Sequence, residues 1–169
     1  MVRMLRDRGF DAWWSDPYCQ NLLSRGFEGG LGHYHALTLF EVIEHLHDPL
    51  EHLEELVQRH HPELIILSTT TFVGGPPVPG DWDYYAFETG QHITFYQERT
   101  LHRLANRLGL VCERLGMVRV LSRTGVVPAW MRLVADQRIN SLISWAIPHR
   151  ESLMLHDHTL LRRRVTESR

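Results

Sequence analysis

Lysine is absent from this 169-residue chain; all 18 of its basic side chains are arginine. That excludes a lysine Schiff base and the lysine of a phosphate-binding P-loop. Cysteine is nearly absent too. Cys19 and Cys112 stand far apart and neither has a C-x-x-C partner, which argues against a disulfide framework and a cysteine-rich zinc site. Reduced thiols in a cytoplasmic setting are the expectation. No uninterrupted apolar run reaches the roughly 18–20 residues that a membrane span needs. Arg3, Arg6, Asp7 and Arg8 break up the apolar stretch a secretory leader would require. Strong charge of either sign is missing: the formal net charge of −2 argues against a nucleic-acid scaffold held by a basic face. No internal repeat is evident. What remains is 43% hydrophobic and 22% charged, the composition of an ordinary globular domain long enough for a real core.

The chain is organised around Phe40–Pro49, Phe-Glu-Val-Ile-Glu-His-Leu-His-Asp-Pro. The apolar run from Ala36 leads into it and an amphipathic segment leads out. A strand that ends on acidic and imidazole groups, followed by a helix, places chemistry at the carboxyl edge of an α/β sheet. Around it the chain alternates. Met1–Arg8 reads as the end of a helix stopped by Gly9 and lacking its beginning. Phe10–Ser15 reads as a buried strand closed by Asp16-Pro17, Tyr18–Ser24 as a short helix, and Gly26–Gly32 as at most a stub of strand. His35–Phe40 is the next strand. Pro49–His60 is a helix with Asp48 as N-cap and Leu50, Leu53, Leu56 and Val57 on one face. Glu63–Thr70 is a central strand. After a Pro- and Gly-rich loop, 72–83, and an aromatic segment, 82–96, Thr100 caps a helix ending at Gly109. Leu110–Leu115 and Met117–Ser122 form a strand pair, Pro128–Trp145 a longer helix, and Arg150–Arg169 a short apolar stretch with an Arg-rich, solvated tail. The alternation predicts an α/β, doubly wound, mostly parallel sheet. The domain boundary is set between 124 and 125, with a helical extension after it.

Several residues are candidates for chemistry, each with a plainer alternative. Asp16, at a strand end, suits both hydroxyls of a ribose, and equally suits capping of the next turn. Glu41, Glu44 and His45 share a face if helical and would hold a divalent ion; otherwise they form an exposed turn. His92 is a general base or a histidine packed among Tyr84, Tyr85, Phe95 and Tyr96. His45, His47 and Asp48 also admit an all-helical His-Asp metal-dependent phosphohydrolase, which the buried strands oppose.

Taken together, the run Glu41-Val42-Ile43-Glu44-His45-Leu46-His47-Asp48-Pro49 and the stretch Gly90-Gln91-His92-Ile93-Thr94-Phe95-Tyr96 resemble class I S-adenosylmethionine-dependent methyltransferases. Thr100-Leu101 and Leu108-Gly109-Leu110 fit as well. The resemblance covers roughly residues 3–122. It implies a Rossmann-like sheet of strand order 3-2-1-4-5-7-6 and methyl transfer to a small-molecule oxygen, carbon or nitrogen. It also implies S-adenosylmethionine as cofactor. By position, Asp16, with Pro17 and Tyr18, would bind the ribose; Phe27 and Glu28 would lie near the adenine; Phe40 and Glu41 would line the methionine end. In some members the Glu-x-x-Glu-His residues hold a divalent metal, here Glu41, Glu44 and His45. His92 would face the substrate.

The departure is at the start. A first strand and a Gly-x-Gly-x-Gly loop, whose backbone N–H groups would approach the cofactor, have no counterpart here; Gly29-Gly30-x-Gly32 lies after the second helix. The fold is therefore expected to be incomplete at its N-terminus, exposing edges of the Phe10 and His35 strands. A longer reading frame upstream, direct pairing of the two strands, or another chain (a homo-oligomer) would each resolve this. The isolated chain is expected to bind cofactor weakly or not at all. A non-catalytic interaction protein of the same fold is the alternative function.

Overall fold

The computed structural model describes residues 1–129, 131–132 and 150–167. In chain order the elements are α1 (Val2–Asp7), β1 (Ala36–Phe40), α2 (Pro49–His60), β2 (Leu64–Ser68), α3 (Glu98–Arg107), β3 (Val111–Leu115), β4 (Val118–Ser122) and α4 (Met154–Glu167). Single 3₁₀ turns lie at Leu22–Ser24, Ile43–His45 and Asp83–Tyr85. The chain divides into two compact units, Met1–Leu31 with Ser144–Arg169, and Gly32–Ile143. Most of the expected Pro128–Trp145 helix lies outside the described residues.

The Gly32–Ile143 unit holds a four-stranded sheet of order β1-β2-β4-β3. β1 pairs parallel with β2, and β4 pairs antiparallel with both β2 and β3. Three strands therefore run one way and β4 runs against them. This is the 4-5-7-6 half of the expected order, an incomplete Rossmann-like α/β fold, and it overturns the all-helical hydrolase. The alternation of β2 explains its place. Ile65 and Leu67 face a core with Leu53 of α2 and Leu101, Leu104 and Ala105 of α3. Leu64 and Ile66 face Val118, Val120 and Val127 on the other side. Each such buried side chain contributes about 1.5–3 kcal/mol. The far edge of β1 carries no ladder among the described residues.

α2 begins as its sequence dictates. The Asp48 carboxylate accepts the Glu51 N–H at 2.9 Å, Pro49 sits in the first turn, and His61, at φ 45°, ends the helix. α3 starts two residues before the expected Thr100 cap, at Glu98, with no side-chain cap. An ion pair between Glu98 and Arg119 of β4 anchors its first turn instead. Arg119 is buried and also donates to the Thr69 carbonyl (2.8 Å) and to Thr71 Oγ1 (3.0 Å), tying the chain beyond β2 to the sheet. Burial pulls the Glu98 carboxyl upward, but Arg119, with Thr71 and Arg114, holds it below the ordinary range.

The other unit is built on a buried arginine. Arg6 of α1 donates Nε to Asp157 Oδ2 at 2.9 Å and Nη2 to Asp157 Oδ1 at 2.8 Å. Its Nη1 reaches Asp11 Oδ1 (2.7 Å) and the Ala12 carbonyl (2.9 Å). The guanidinium lies 4.2 Å from the Phe27 ring centroid and 5.3 Å from that of Trp13. Both Arg6 and Asp157 are almost wholly buried, at 2% and 1% exposure. The Arg6 hydrogen bond holds the Asp157 carboxyl below the usual carboxylate range. Gly9, at φ +77°, closes α1 where a Cβ would meet Arg150 Cβ and the Glu151 carbonyl at 2.5 Å.

α4 delivers Asp157 to Arg6. Two sequence-based expectations change in this unit. Phe10–Ser15 is no buried strand. Only Trp14 makes a bridge, parallel to Glu28, and Phe10 is nearly half exposed, because no second neighbour among the described residues completes a ladder. Tyr18–Ser24 shortens to the turn Leu22–Ser24. Asp16 Oδ1 accepts the Tyr18 and Cys19 N–H groups at 2.8 and 3.0 Å, and Asn21 Oδ1 accepts the Leu23 N–H at 3.2 Å. Such local bonds compete with a helix.

Candidate active site

The carboxyl edge of β1 and β2 is where the organising stretch falls. The chain leaves β1 at Glu41 with φ +50°, a left-handed conformation that a residue with a Cβ adopts at a cost. Ser68, the last residue of β2, holds it there: the Glu41 N–H donates to the Ser68 carbonyl (3.2 Å) and to its Oγ (3.1 Å). The Ser68 hydroxyl in turn donates to Glu41 Oε1 at 2.7 Å. The turn at Ile43–His45 then buries Ile43 and Glu44 completely.

A second segment docks on this turn. The N–H groups of Ile93 and Thr94 both donate to the Glu44 carbonyl, at 2.9 and 3.0 Å. The Thr94 hydroxyl reaches the Leu46 carbonyl (3.1 Å), the Tyr96 hydroxyl the Ile43 carbonyl (2.8 Å), and His45 Nδ1 the Gln91 carbonyl (2.8 Å). These five bonds explain why the two motifs, far apart in sequence, occur together. Tyr96→Phe strands the buried Ile43 carbonyl, and a loss of about 1–2 kcal/mol is expected in urea denaturation. An unchanged midpoint would show that this bond contributes nothing.

Tyr84 lies at the centre. Its hydroxyl is 2.7 Å from Glu44 Oε1, 3.0 Å from Glu41 Oε2 and 3.0 Å from Thr69 Oγ1. One phenolic proton thus faces two carboxylates. Burial, with both carboxylates nearby, pushes the Tyr84 phenol far up. Burial also pulls Glu41 upward, but hydrogen bonds from the Ser68 and Tyr84 hydroxyls hold it below the ordinary range. The Tyr84 carbonyl accepts His92 Nδ1–H at 2.6 Å, and its ring packs 4.4 Å from the His92 ring.

Glu44, His45 and His92 each offer one ligand atom, and the three atoms lie within 4.8 Å of one another. Both imidazoles bond through Nδ1 to carbonyls, so Nδ1 carries a proton and Nε2 is the nitrogen left to offer a lone pair from a neutral ring. Glu44 Oε2 is buried with no hydrogen-bond partner. A buried carboxylate oxygen without a partner, on a side chain clustered with two imidazoles, fits a cation.

The residues singled out in sequence are thus distributed as follows. Glu44, His45 and His92 come together, while Glu41 turns to Ser68 and Tyr84. Phe40 is partly exposed at the end of β1. Asp16, Pro17, Tyr18, Phe27 and Glu28 lie in the other unit. There, Tyr18 is almost fully exposed and Phe27 is buried beneath Arg6. Glu28 Oε1 accepts the Gly26 N–H at 2.9 Å. Sequence reading treated Tyr84 as packing and passed over Ser68 and Thr69. The run Ser68-Thr69-Thr70-Thr71, four hydroxyls at the end of an apolar strand, was the signal for the last two.

Carboxylates and imidazoles thus gather at the carboxyl edge of parallel strands, the edge at which open α/β sheets bind their ligands. The profile of a family described as a methyltransferase domain matches residues 1–115, and the chain belongs to this class I S-adenosylmethionine-dependent methyltransferase family. No curated protein matches it. Among the described residues no helix is long and apolar enough to cross a membrane.

Proposed function

We propose that this chain transfers a methyl group from S-adenosylmethionine to a small-molecule acceptor at the carboxyl edge of β1 and β2. The observation that carries the reading is the convergence of His92 with Glu44 and His45 at that edge, in a chain of this family. When bound, the cofactor supplies a methyl group on an electrophilic sulfonium. Phe40 and Glu41 line its methionine end in this reading, and the family resemblance assigns its ribose to Asp16, Pro17 and Tyr18. The chain's own task is to align donor and acceptor and keep water out. An acceptor hydroxyl is activated in one of two ways: His92 Nε2 takes its proton, the ring held by the Tyr84 carbonyl, or a divalent cation at Glu44 and His45 lowers its pKa.

Titration calorimetry with S-adenosylhomocysteine tests the reading. We expect saturable but weak binding, reduced about tenfold in Asp16→Ala, a change of about 1.4 kcal/mol. Transfer of labelled methyl to a panel of phenols, carboxylates and amines then identifies the acceptor. A second reading, a non-catalytic interaction protein of the same fold, is favoured by the edge of β1 that carries no ladder among the described residues. It predicts no heat with the cofactor product at any concentration.

A further inference from the structure

We propose that Glu44, His45 and His92 form a site for a borderline first-row transition ion, in the range Mn²⁺ to Zn²⁺, that discriminates against Mg²⁺ and Ca²⁺. This rests on the methyl-transfer reading for its purpose and decides between its two modes of activation. One lone pair on His92 Nε2 cannot both bind an ion and accept a proton.

The argument begins with the donors. Mg²⁺ and Ca²⁺ select oxygen ligands, whereas imidazole nitrogen suits the later divalent ions. The set here is two imidazoles and one carboxylate, with ligand atoms within 4.8 Å of one another. Bonds of about 2.0–2.2 Å to a shared ion place such atoms roughly 3–3.5 Å apart, so closure needs small side-chain rotations only. Both rings already stand in a ligating tautomer. Each Nδ1–H is held by a backbone carbonyl, Gln91 for His45 and Tyr84 for His92, the outer bond that metal-bound histidines make. The carboxylate also has a lone pair to give: Glu44 Oε2 is buried and unpartnered, while Oε1 is fixed by the Tyr84 hydroxyl. No arginine pairs with Glu44 among the described residues, so its charge has no local counter-ion.

Glu41 is outside the set by the same reasoning. Ser68 takes its Oε1 and Tyr84 reaches its Oε2. The hydroxyl network that holds Glu41 separates it from the ligands, although sequence spacing alone groups it with Glu44 and His45.

Cobalt is the probe, because its d–d absorption reports ligand type and number without any turnover. Titrating Co²⁺ into the full chain is expected to give visible bands that saturate at one equivalent. Zn²⁺ is expected to abolish them, and a roughly thousandfold excess of Mg²⁺ to leave them intact. His92→Gln and, separately, His45→Gln should lower Co²⁺ affinity at least about 100-fold, while Glu41→Gln changes it less than about threefold. Circular dichroism establishes that each variant is folded. Displacement by Mg²⁺ overturns the proposal, as does a Glu41→Gln loss equal to that of His92→Gln. Bands that survive both histidine substitutions belong to other histidines and also overturn it. If S-adenosylhomocysteine binds but Co²⁺ does not, the ion site fails while methyl transfer stands; the reverse result sinks the cofactor reading alone.

Discussion

Asp157→Ala is expected to destabilise the unit formed by Met1–Leu31 and Ser144–Arg169 by about 3 kcal/mol. Removing one partner of a buried ion pair leaves the other charge uncompensated, at about 3–5 kcal/mol. Arg6 keeps Asp11 and the Ala12 carbonyl, which places the effect at the lower end. Urea denaturation followed by tryptophan emission reads it directly, since Trp13 and Trp14 are in this unit. An unchanged midpoint would mean that the bidentate contact is worth nothing. The pH dependence has a definite sign. The folded-state carboxyl of Asp157 lies below its unfolded value, so its contribution is fully present above about pH 4 and is lost as pH falls through the lowered value. The unsubstituted chain should therefore lose stability more steeply below about pH 4 than Asp157→Ala does.

Glu44→Gln is expected to move stability and ligation in opposite directions. The side chain is fully buried, and one carboxylate oxygen has no partner. Replacing the charge by a neutral amide of the same shape removes a desolvation cost. The cation-free protein should gain about 1–2 kcal/mol. The same change should lower Co²⁺ affinity at least about 100-fold, which is about 2.7 kcal/mol. Such opposition is the mark of a residue kept for function at the expense of the fold. A thermal melt without added cation and a Co²⁺ titration give both halves. A variant that melts lower and still binds Co²⁺ as tightly would make Glu44 a structural residue.

Periodic and capped segments were legible from sequence. α2 announced itself by Asp48-Pro49 and its leucine face, and the core strands by short apolar runs, because burial and capping leave a local pattern. The segments misread were those decided by distant partners. Arg6 and Asp157 are 151 positions apart, and no window contains both, so the ion pair that seats α4 left no local mark. The start of α3 was misplaced because Arg119, on β4, does the anchoring that a cap would do. Phe10–Ser15 has a strand's composition, but a strand is a relation between neighbours, and only Glu28 answers it. At the site, the spacing of Glu41, Glu44 and His45 suggested a shared face. The left-handed backbone at Glu41 and the turn after it redirect the first carboxylate and bring His92 in from the second motif.

The clasp between 43–46 and 91–96 has a kinetic consequence. Its side-chain bonds span 46, 48 and 53 residues, so closing it follows the pairing of β1 with β2 and adds the loop-closure entropy of the whole intervening stretch. During synthesis, a chain that has reached the end of β2 can already form its parallel ladder. Its Glu44 carboxylate, however, stays hydrated until Tyr84 and the 91–96 segment have emerged. The buried arrangement at this edge is thus completed late in folding, and the amides of Ile93 and Thr94, slow to exchange only once the clasp is shut, are the clock that times it.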